Sequence, residues 1–442
     1  MKLKLSLVAR GGQLALLISM LFSGAALASG STEFVTYSFP YNAVSIPQGC
    51  QPEGNLAADS AGNFYGTAGC GAFRNGVVFK MTRPVAPSTV WTESALYSFT
   101  GGNDGGAPEG GVILDAAGNL YGTTSAGGAS GLGTVFELSP PASGETDWTE
   151  SVLYSFQGGT GDGQKPLAGL VIDGAGNLYG TTFQGGLNDG GYCRVGCGTV
   201  FQLAPPATAG GAWTETVIHY FFGGQGSYPL SAPILDAKGN LYGTVRSGGA
   251  TGAGMVYRIT PPAAGKTAWA YKALHVFSTQ GGDGESPFGG LTLHGKGILY
   301  GTTTYGGSGQ FGTVFQLVPP AVAGGAWTEN ILYNFNGLHV NPNDAAYPGG
   351  TLVLDSAGNI YGMTGGGGDF ADCISGCGTV FELSPPASGE SAWTETILHT
   401  FTGGPDASSP AGGLVLGKNG VLFGVSQTGG AHGEGTVFGV VK

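Results

Sequence analysis

The chain has 442 residues, among them 88 glycines and 24 prolines, and a formal net charge of -12. Only 10% of residues are charged and the balance is acidic, which argues against nucleic acid and anionic membranes as partners and leaves small cations, sugars and proteins. So much glycine and proline without a period would mean low complexity, but 41% of residues are hydrophobic and the glycines recur at fixed places.

In chain order, residues 1–28 read as a secretory signal peptide. Lys2, Lys4 and Arg10 make a basic start, Leu14 to Ala26 is apolar, and Ala26-Leu27-Ala28 is a small-x-small cleavage site. The uninterrupted apolar run is short for a bilayer span. Cleavage removes three basic and no acidic residues, which takes the charge from -12 to -15. No cysteine lies near Ala28 and no apolar tail follows the last repeat. The expected product is exported (secreted, periplasmic or on the cell surface), monomeric, and without a membrane span once the signal is removed.

Residues 29–442 are organised around Gly118-Asn119-Leu120-Tyr121-Gly122-Thr123-Thr124, which recurs seven times with small changes. The copies centre on Tyr65, Tyr121, Tyr179, Tyr242, Tyr300, Tyr361 and Phe423, at spacings of 56 to 63 residues. A period of this length decides the architecture. Each repeat holds four short runs rich in β-branched and aromatic residues and bounded by Gly, Pro, Asn and Asp, the signature of strands and turns. In the second repeat they fall at 111–114, 120–124, 133–138 and 148–156. Four strands in each of seven units predict an all-β, seven-bladed β-propeller. The ends support closure. The mature chain opens with a fourth-type run at 32–39 and finishes on a third-type run at 435–438. In a closed ring the N-terminal strand completes the last blade and hides an edge that would otherwise template aggregation. An open solenoid has no use for this offset.

Three repeated residue types are read as structural. Asp59, Asp115, Asp173, Asp236 and Asp355 begin the turn between the first two strands, where Asp accepts backbone N–H groups. His294 and Gly417 replace them in two repeats, which a turn tolerates and an essential ligand would not. Trp91, Trp148, Trp213, Trp269, Trp327 and Trp393 each open a fourth strand, a place for packing rather than a sugar-stacking stripe. His219, His275 and His399 stand where Tyr97, Tyr154 and Tyr333 stand elsewhere; His294, His339 and His432 fall in turns or loops. No metal-binding His spacing, nucleophile–base pair or phosphate loop is visible.

Six cysteines in an exported chain suggest disulfides. Position favours Cys50–Cys70, Cys193–Cys197 and Cys373–Cys377, each within one repeat, over metal binding by two distant Cys-x3-Cys pairs.

The ordered pattern Gly-Asn-Leu-Tyr-Gly-Thr-Thr, Gly-Gly, Gly-Thr-Val-Phe, Pro-Pro, Trp-Thr-Glu and Leu-Tyr-Ser-Phe resembles the GloVer tandem-repeat family over essentially the whole mature chain. The resemblance implies an exported bacterial surface or secreted protein without an assigned activity. Some members carry a C-terminal sorting or anchoring segment, whereas this chain ends in a strand. The Asp-x-x-Gly-Asn-Leu-Tyr element is also similar to propellers of the NHL and gluconolactonase type.

A candidate site lies where fourth strands pass into the next repeat. Asp104, Asp162, Asp283, Asp344 and Asp406 each stand four residues before a proline, with Gln48 and Gln225 in the other two repeats. These groups would ring one face, either bracing their own loops or meeting a ligand. Directly after the proline the residues are Glu53, Glu109, Leu167, Leu230, Phe288, Gly349 and Ala411. The neighbouring Glu53 and Glu109, with Asp104 nearby, could hold a hard cation such as Ca²⁺, serve as an acid–base pair, or be solvated rim charges. The expected function is non-catalytic binding of a glycan, protein or envelope component. The alternative is an extracytoplasmic hydrolase or lyase, with or without a metal, because a propeller can gather catalytic groups from several blades without a sequence motif.

Overall fold

Each repeat folds into an antiparallel sheet whose four consecutive strands are neighbours. The computed structural model describes residues 32–40, 48–188, 193–208, 210–322, 324–337, 344–368 and 373–442; the expected signal peptide and His339 lie outside them. Blade one comprises Pro52–Ala58, Phe64–Ala68, Val77–Thr82 and Thr92–Ser98, from the inner strand to the outer. Blade seven takes Ala407–Leu416, Leu422–Gly429 and Thr436–Val441 from the end of the chain and Thr32–Ser38 from its start. Thr32 pairs with Val441 and Ser38 with Thr436. The chain is therefore the seven-bladed propeller that the offset termini predict, closed by its N-terminal strand.

The repeated motif is a packing unit. Every residue of Leu120–Thr124 is buried. Gly122 pairs across the sheet with Phe136, which is fully buried. A Cβ at Gly122 would sit 2.5 Å from the Phe136 ring, so the motif needs glycine there to let the ring lie flat over the strand. Phe136 in turn meets Phe99 of the preceding blade edge-on, with centroids 5.0 Å apart. Gly122→Ala should lower stability by about 1–3 kcal/mol through overpacking. Chemical denaturation that finds wild-type stability would contradict this account.

The hydroxyls of the motif come as buried pairs. Thr124 meets Thr134 at 2.8 Å, Thr182 meets Thr199 at 2.9 Å, Thr303 meets Thr313 at 2.8 Å, and Thr364 meets Thr379 at 2.8 Å. Ser426 and Thr436 do the same in blade seven. Blades one and four pair Ala68 with Val77 and Val245 with Met255 instead. Both partners turn apolar together, as expected when one orphaned buried hydroxyl costs more than a missing pair.

The turn aspartates act as the sequence suggests. Asp115 accepts the N–H groups of Ala117 and Asn119, the Asn119 side-chain amide and the Tyr121 hydroxyl. The Asp, Asn and Tyr of the motif thus form one network. Blade seven has lost all three, carrying Gly417, Val421 and Phe423 in their places.

The inner strands converge backbone to backbone. A Cβ on Gly54 would collide with the main chain at Gly110 and Gly111, and one on Gly110 with Ala168 and Gly169. Asn55 narrows the axis further. Its amide reaches Thr351 of blade six at 3.5 Å, and its carbonyl oxygen accepts the Gly413 N–H of blade seven at 2.5 Å.

Candidate functional site

Above this waist the ring opens into a cavity of about 860 Å³. All seven residues that follow the repeat proline line it: Glu53, Glu109, Leu167, Leu230, Phe288, Gly349 and Ala411. The ends of the second strands add Arg246, Thr304, Tyr305 and Gln427, and the positions just before the repeat prolines add Ser286 and Tyr347. The lining is unequal. Blades seven, one and two give the polar sector of Gln427, Glu53 and Glu109. Blades five and six give Phe288, Tyr305 and Tyr347, with Phe288 49% and Tyr305 45% exposed. The Tyr305 and Tyr347 rings meet edge-on at 5.6 Å.

Each glutamate is held by one oxygen. Gln427 donates its amide N–H to Glu53 Oε1 at 3.1 Å, and Ser125 donates its hydroxyl to Glu109 Oε1 at 2.8 Å. Burial, followed by the charge of Glu109, pushes the Glu53 carboxyl up to about 7; the Gln427 hydrogen bond only partly opposes this. Chemically, the mouth offers a carboxyl raised toward neutrality beside a second carboxyl, with aromatic rings elsewhere on the same wall.

The five aspartates lie elsewhere. Asp104 accepts the N–H and hydroxyl of Thr100 at 2.7 and 2.6 Å and the Tyr97 hydroxyl at 3.1 Å. Asp162 binds the N–H groups of Gln157 and Gly163 and the Tyr154 hydroxyl. Asp283, Asp344 and Asp406 bind backbone N–H groups of their own loops in the same way. Asp344 is 2% exposed. None of the five lines the mouth. They brace the loops, so the structure brings together Glu53 and Glu109 but leaves Asp104 apart from them.

The braces continue into the next blade. The charge of Asp104 acts on Glu150, that of Asp162 on Glu215, and that of Asp344 on Glu395, each glutamate on the neighbouring outer strand. Two braces, His275–Asp283–Glu329 and Glu33–His399–Asp406, gather an imidazole and two carboxylates within 4.8 Å of one another. Such a donor set suits a divalent cation. Tyr97, Tyr154 and Tyr333 stand at the imidazole's place in other braces, so what these places share is packing and hydrogen bonding. Between blades three and four both acidic positions differ: Gln225 replaces Asp, Tyr271 replaces Glu, and His219 stacks on Tyr271 at 4.2 Å. The tryptophans pack as expected, Trp148 against Tyr65 and Trp213 against Tyr121 of the preceding blades. The disulfides are Cys50–Cys70, Cys193–Cys197 and Cys373–Cys377.

The profile of the Gloeobacter/Verrucomicrobia repeat matches residues 25–193 and 142–368. The chain belongs to this GloVer repeat family. No curated protein sequence matches it. Among solved structures, a putative oxidoreductase (glucose dehydrogenase) from Thermus thermophilus is 14% identical, with 93% of this chain and 100% of that one covered and a TM-score of 0.44. A luciferin-regenerating enzyme is 11% identical, covering 93% and 96%, with a TM-score of 0.40. The NanB sialidase from Streptococcus pneumoniae is 10% identical, covering 92% and 70%, also at 0.40. These likenesses are too distant to bear on activity.

The GloVer propeller has one feature at its mouth that residue patterns do not announce. The residue before each repeat proline has a left-handed backbone without being glycine: Gln51 (φ 52), Ala107 (54), Lys165 (54), Tyr228 (61), Ser286 (56), Tyr347 (59) and Ser409 (53). Such conformations persist only where the surroundings impose them. Here each N–H donates to a loop carbonyl of the preceding blade, from Gln51 to Glu434 at 2.7 Å and from Tyr347 to Phe311 at 2.8 Å, for example. Seven varied side chains are thereby fixed on a constant backbone around the mouth. The one available signal was their shared place in the repeat.

Proposed function

We propose that this GloVer propeller is an exported, non-catalytic binding protein whose central mouth holds a glycan. The observation that carries the reading is the division of the mouth. Exposed aromatic rings of Phe288 and Tyr305 suit the C–H faces of a sugar, while Glu53, Glu109 and Gln427 opposite them accept hydroxyl hydrogen bonds. Export is supported by three disulfides, which form and persist in oxidising compartments, and by the signal-like residues 1–28. No helix among the described residues is long and apolar enough to cross a membrane. The test is a glycan array probed with residues 29–442, followed by titration of each hit. Replacing Phe288 and Tyr305 by Ala should weaken a hit about tenfold or more, since each stacked ring contributes about 0.5–1.5 kcal/mol beyond its area. Unchanged affinity would move the site elsewhere.

The elevated Glu53 favours a second reading, a hydrolase or lyase in which Glu53 gives a proton and Glu109 acts beside it. Turnover of a glycan or lactone by wild type that Glu53→Gln abolishes would establish it over simple binding. Loss of turnover on chelation would add a metal.

A further inference from the structure

The two mouth glutamates also bear on which glycan fits. Resting on the reading of the mouth as a glycan site, we propose that the Glu53–Glu109 sector takes a protonated amine, so that the ligand is an amino sugar with a free ammonium group.

Each carboxyl has one oxygen fixed by a neighbour, Gln427 or Ser125, and no hydrogen bond from the described residues reaches the other oxygen. Two acceptors from adjacent blades are thus held ready at the wall of the cavity. Burial, and after it the charge of Glu109, raises the Glu53 carboxyl, and the two carboxyls lie on adjacent blades at the cavity wall. A positive charge between their free oxygens relieves the repulsion. An ammonium supplies that charge and three N–H donors at once, whereas a hydroxyl supplies a donor and leaves the repulsion. Calcium fits less well. It takes about six to eight oxygens, and the wall next to Glu109 turns apolar at Leu167 and Leu230. The cationic side chain of the lining, Arg246, belongs to blade four and is not among the charges that act on Glu53. With the amine at Glu53 and Glu109, the pyranose ring faces Phe288 and Tyr305.

The experiment is calorimetric titration of residues 29–442 at pH 7 with a β-1,4-linked glucosamine hexamer, the same hexamer fully N-acetylated, and calcium chloride. The glucosamine hexamer should bind at least tenfold tighter than its acetylated form, with proton release visible as a dependence of heat on buffer ionisation. Glu53→Gln combined with Glu109→Gln should erase that preference and the proton release, while circular dichroism and thermal melting of the variant report an intact fold. Equal affinity of wild type for the two hexamers overturns the amine proposal and leaves the glycan reading standing. So does binding of neither hexamer when another glycan binds. Failure of every glycan sinks both. Calcium binding that the double variant abolishes would make the sector a cation site and likewise overturn the amine.

Discussion

A chain that starts at residue 41 should lose about 5 kcal/mol or more of stability and associate with itself. The missing segment is the outer strand of blade seven. It pairs with Thr436–Val441 from Thr32 to Ser38, and the Phe39 N–H continues the pairing onto Gly435. Phe39 is fully buried against Phe79 of blade one, at 5.3 Å, so it ties the ring shut between its last and first blades. Phe34 lies over Gly439 and meets Phe423 edge-on at 6.2 Å. Fully burying a large apolar side chain contributes about 1.5–3 kcal/mol; fully buried Phe39, half-buried Tyr37 and the 38% exposed Phe34, with the lost strand pairing, set the figure. Unfolding entropy of about 2 cal/mol/K per residue turns that loss into a fall in Tm of roughly 6 °C or more. The strand left bare, Thr-Val-Phe-Gly-Val-Val, is apolar and unpaired, which is an aggregation hazard. Calorimetry and light scattering on the two chains decide the matter. Equal Tm values with a monomeric truncated protein would show that the ring does not depend on its closing strand.

The fold was legible because its constraints are local and repeat seven times. Gly122, Tyr121 and Asp115 show their roles through their spacing, and the offset ends show closure. The mouth was legible in part. Counting from the proline finds Glu53, Glu109 and the five other wall residues at that position. The same count finds Asp104 and its counterparts, yet it cannot say that these carboxylates turn back onto Thr100 or Gln157 rather than toward the axis. That direction depends on loop backbone, and the loop differs in length and sequence between blades. The aromatic sector was hidden for another reason. Tyr305 follows the second strand of blade five and Tyr347 lies near the start of the inner strand of blade six, Ala345–Leu354, so they meet only once the two blades pack together. The left-handed residues were invisible because seven inter-blade hydrogen bonds, not glycine, impose the conformation.

Acidification from pH 8.5 to 5.5 should stabilise the propeller, raising Tm by about 3–5 °C. The cause lies between the outer strands. Burial pushes Glu33, Glu93, Glu150, Glu215 and Glu329 up to about 7 and Glu395 to about 8. A neighbouring aspartate charge adds to this at five of the six. Glu395 accepts the Tyr333 hydroxyl at 2.9 Å, which only partly opposes its burial and the Asp344 charge. These groups hold protons in the folded state that they release at ordinary carboxylate pH when unfolded. Their contribution is therefore complete below about 4.5 and lost as pH rises through 7 to 8. His275, raised by Asp283 and Glu329 against its burial, acts in the same direction above its usual 6.5. His219 opposes them. Buried against Tyr271, it is held down at about 4 and costs stability as pH falls below 6.5. One opposing group against the six glutamates and His275 leaves the net sign clear between 8.5 and 5.5. Further into acid the balance turns, because Asp104 and Asp406, whose carboxyls are held below the ordinary range by their loop hydrogen bonds, must then be protonated. Partial exposure of the glutamates screens each contribution, which is why the expected shift is a few degrees and not tens. Glu395→Gln imitates the protonated form. It should leave Tm nearly unchanged at pH 5.5, raise it at pH 8.5, and so flatten the profile. A Tm that climbs from pH 5.5 to 8.5, or a Glu395→Gln protein weakened equally at both, would refute the proton-holding braces.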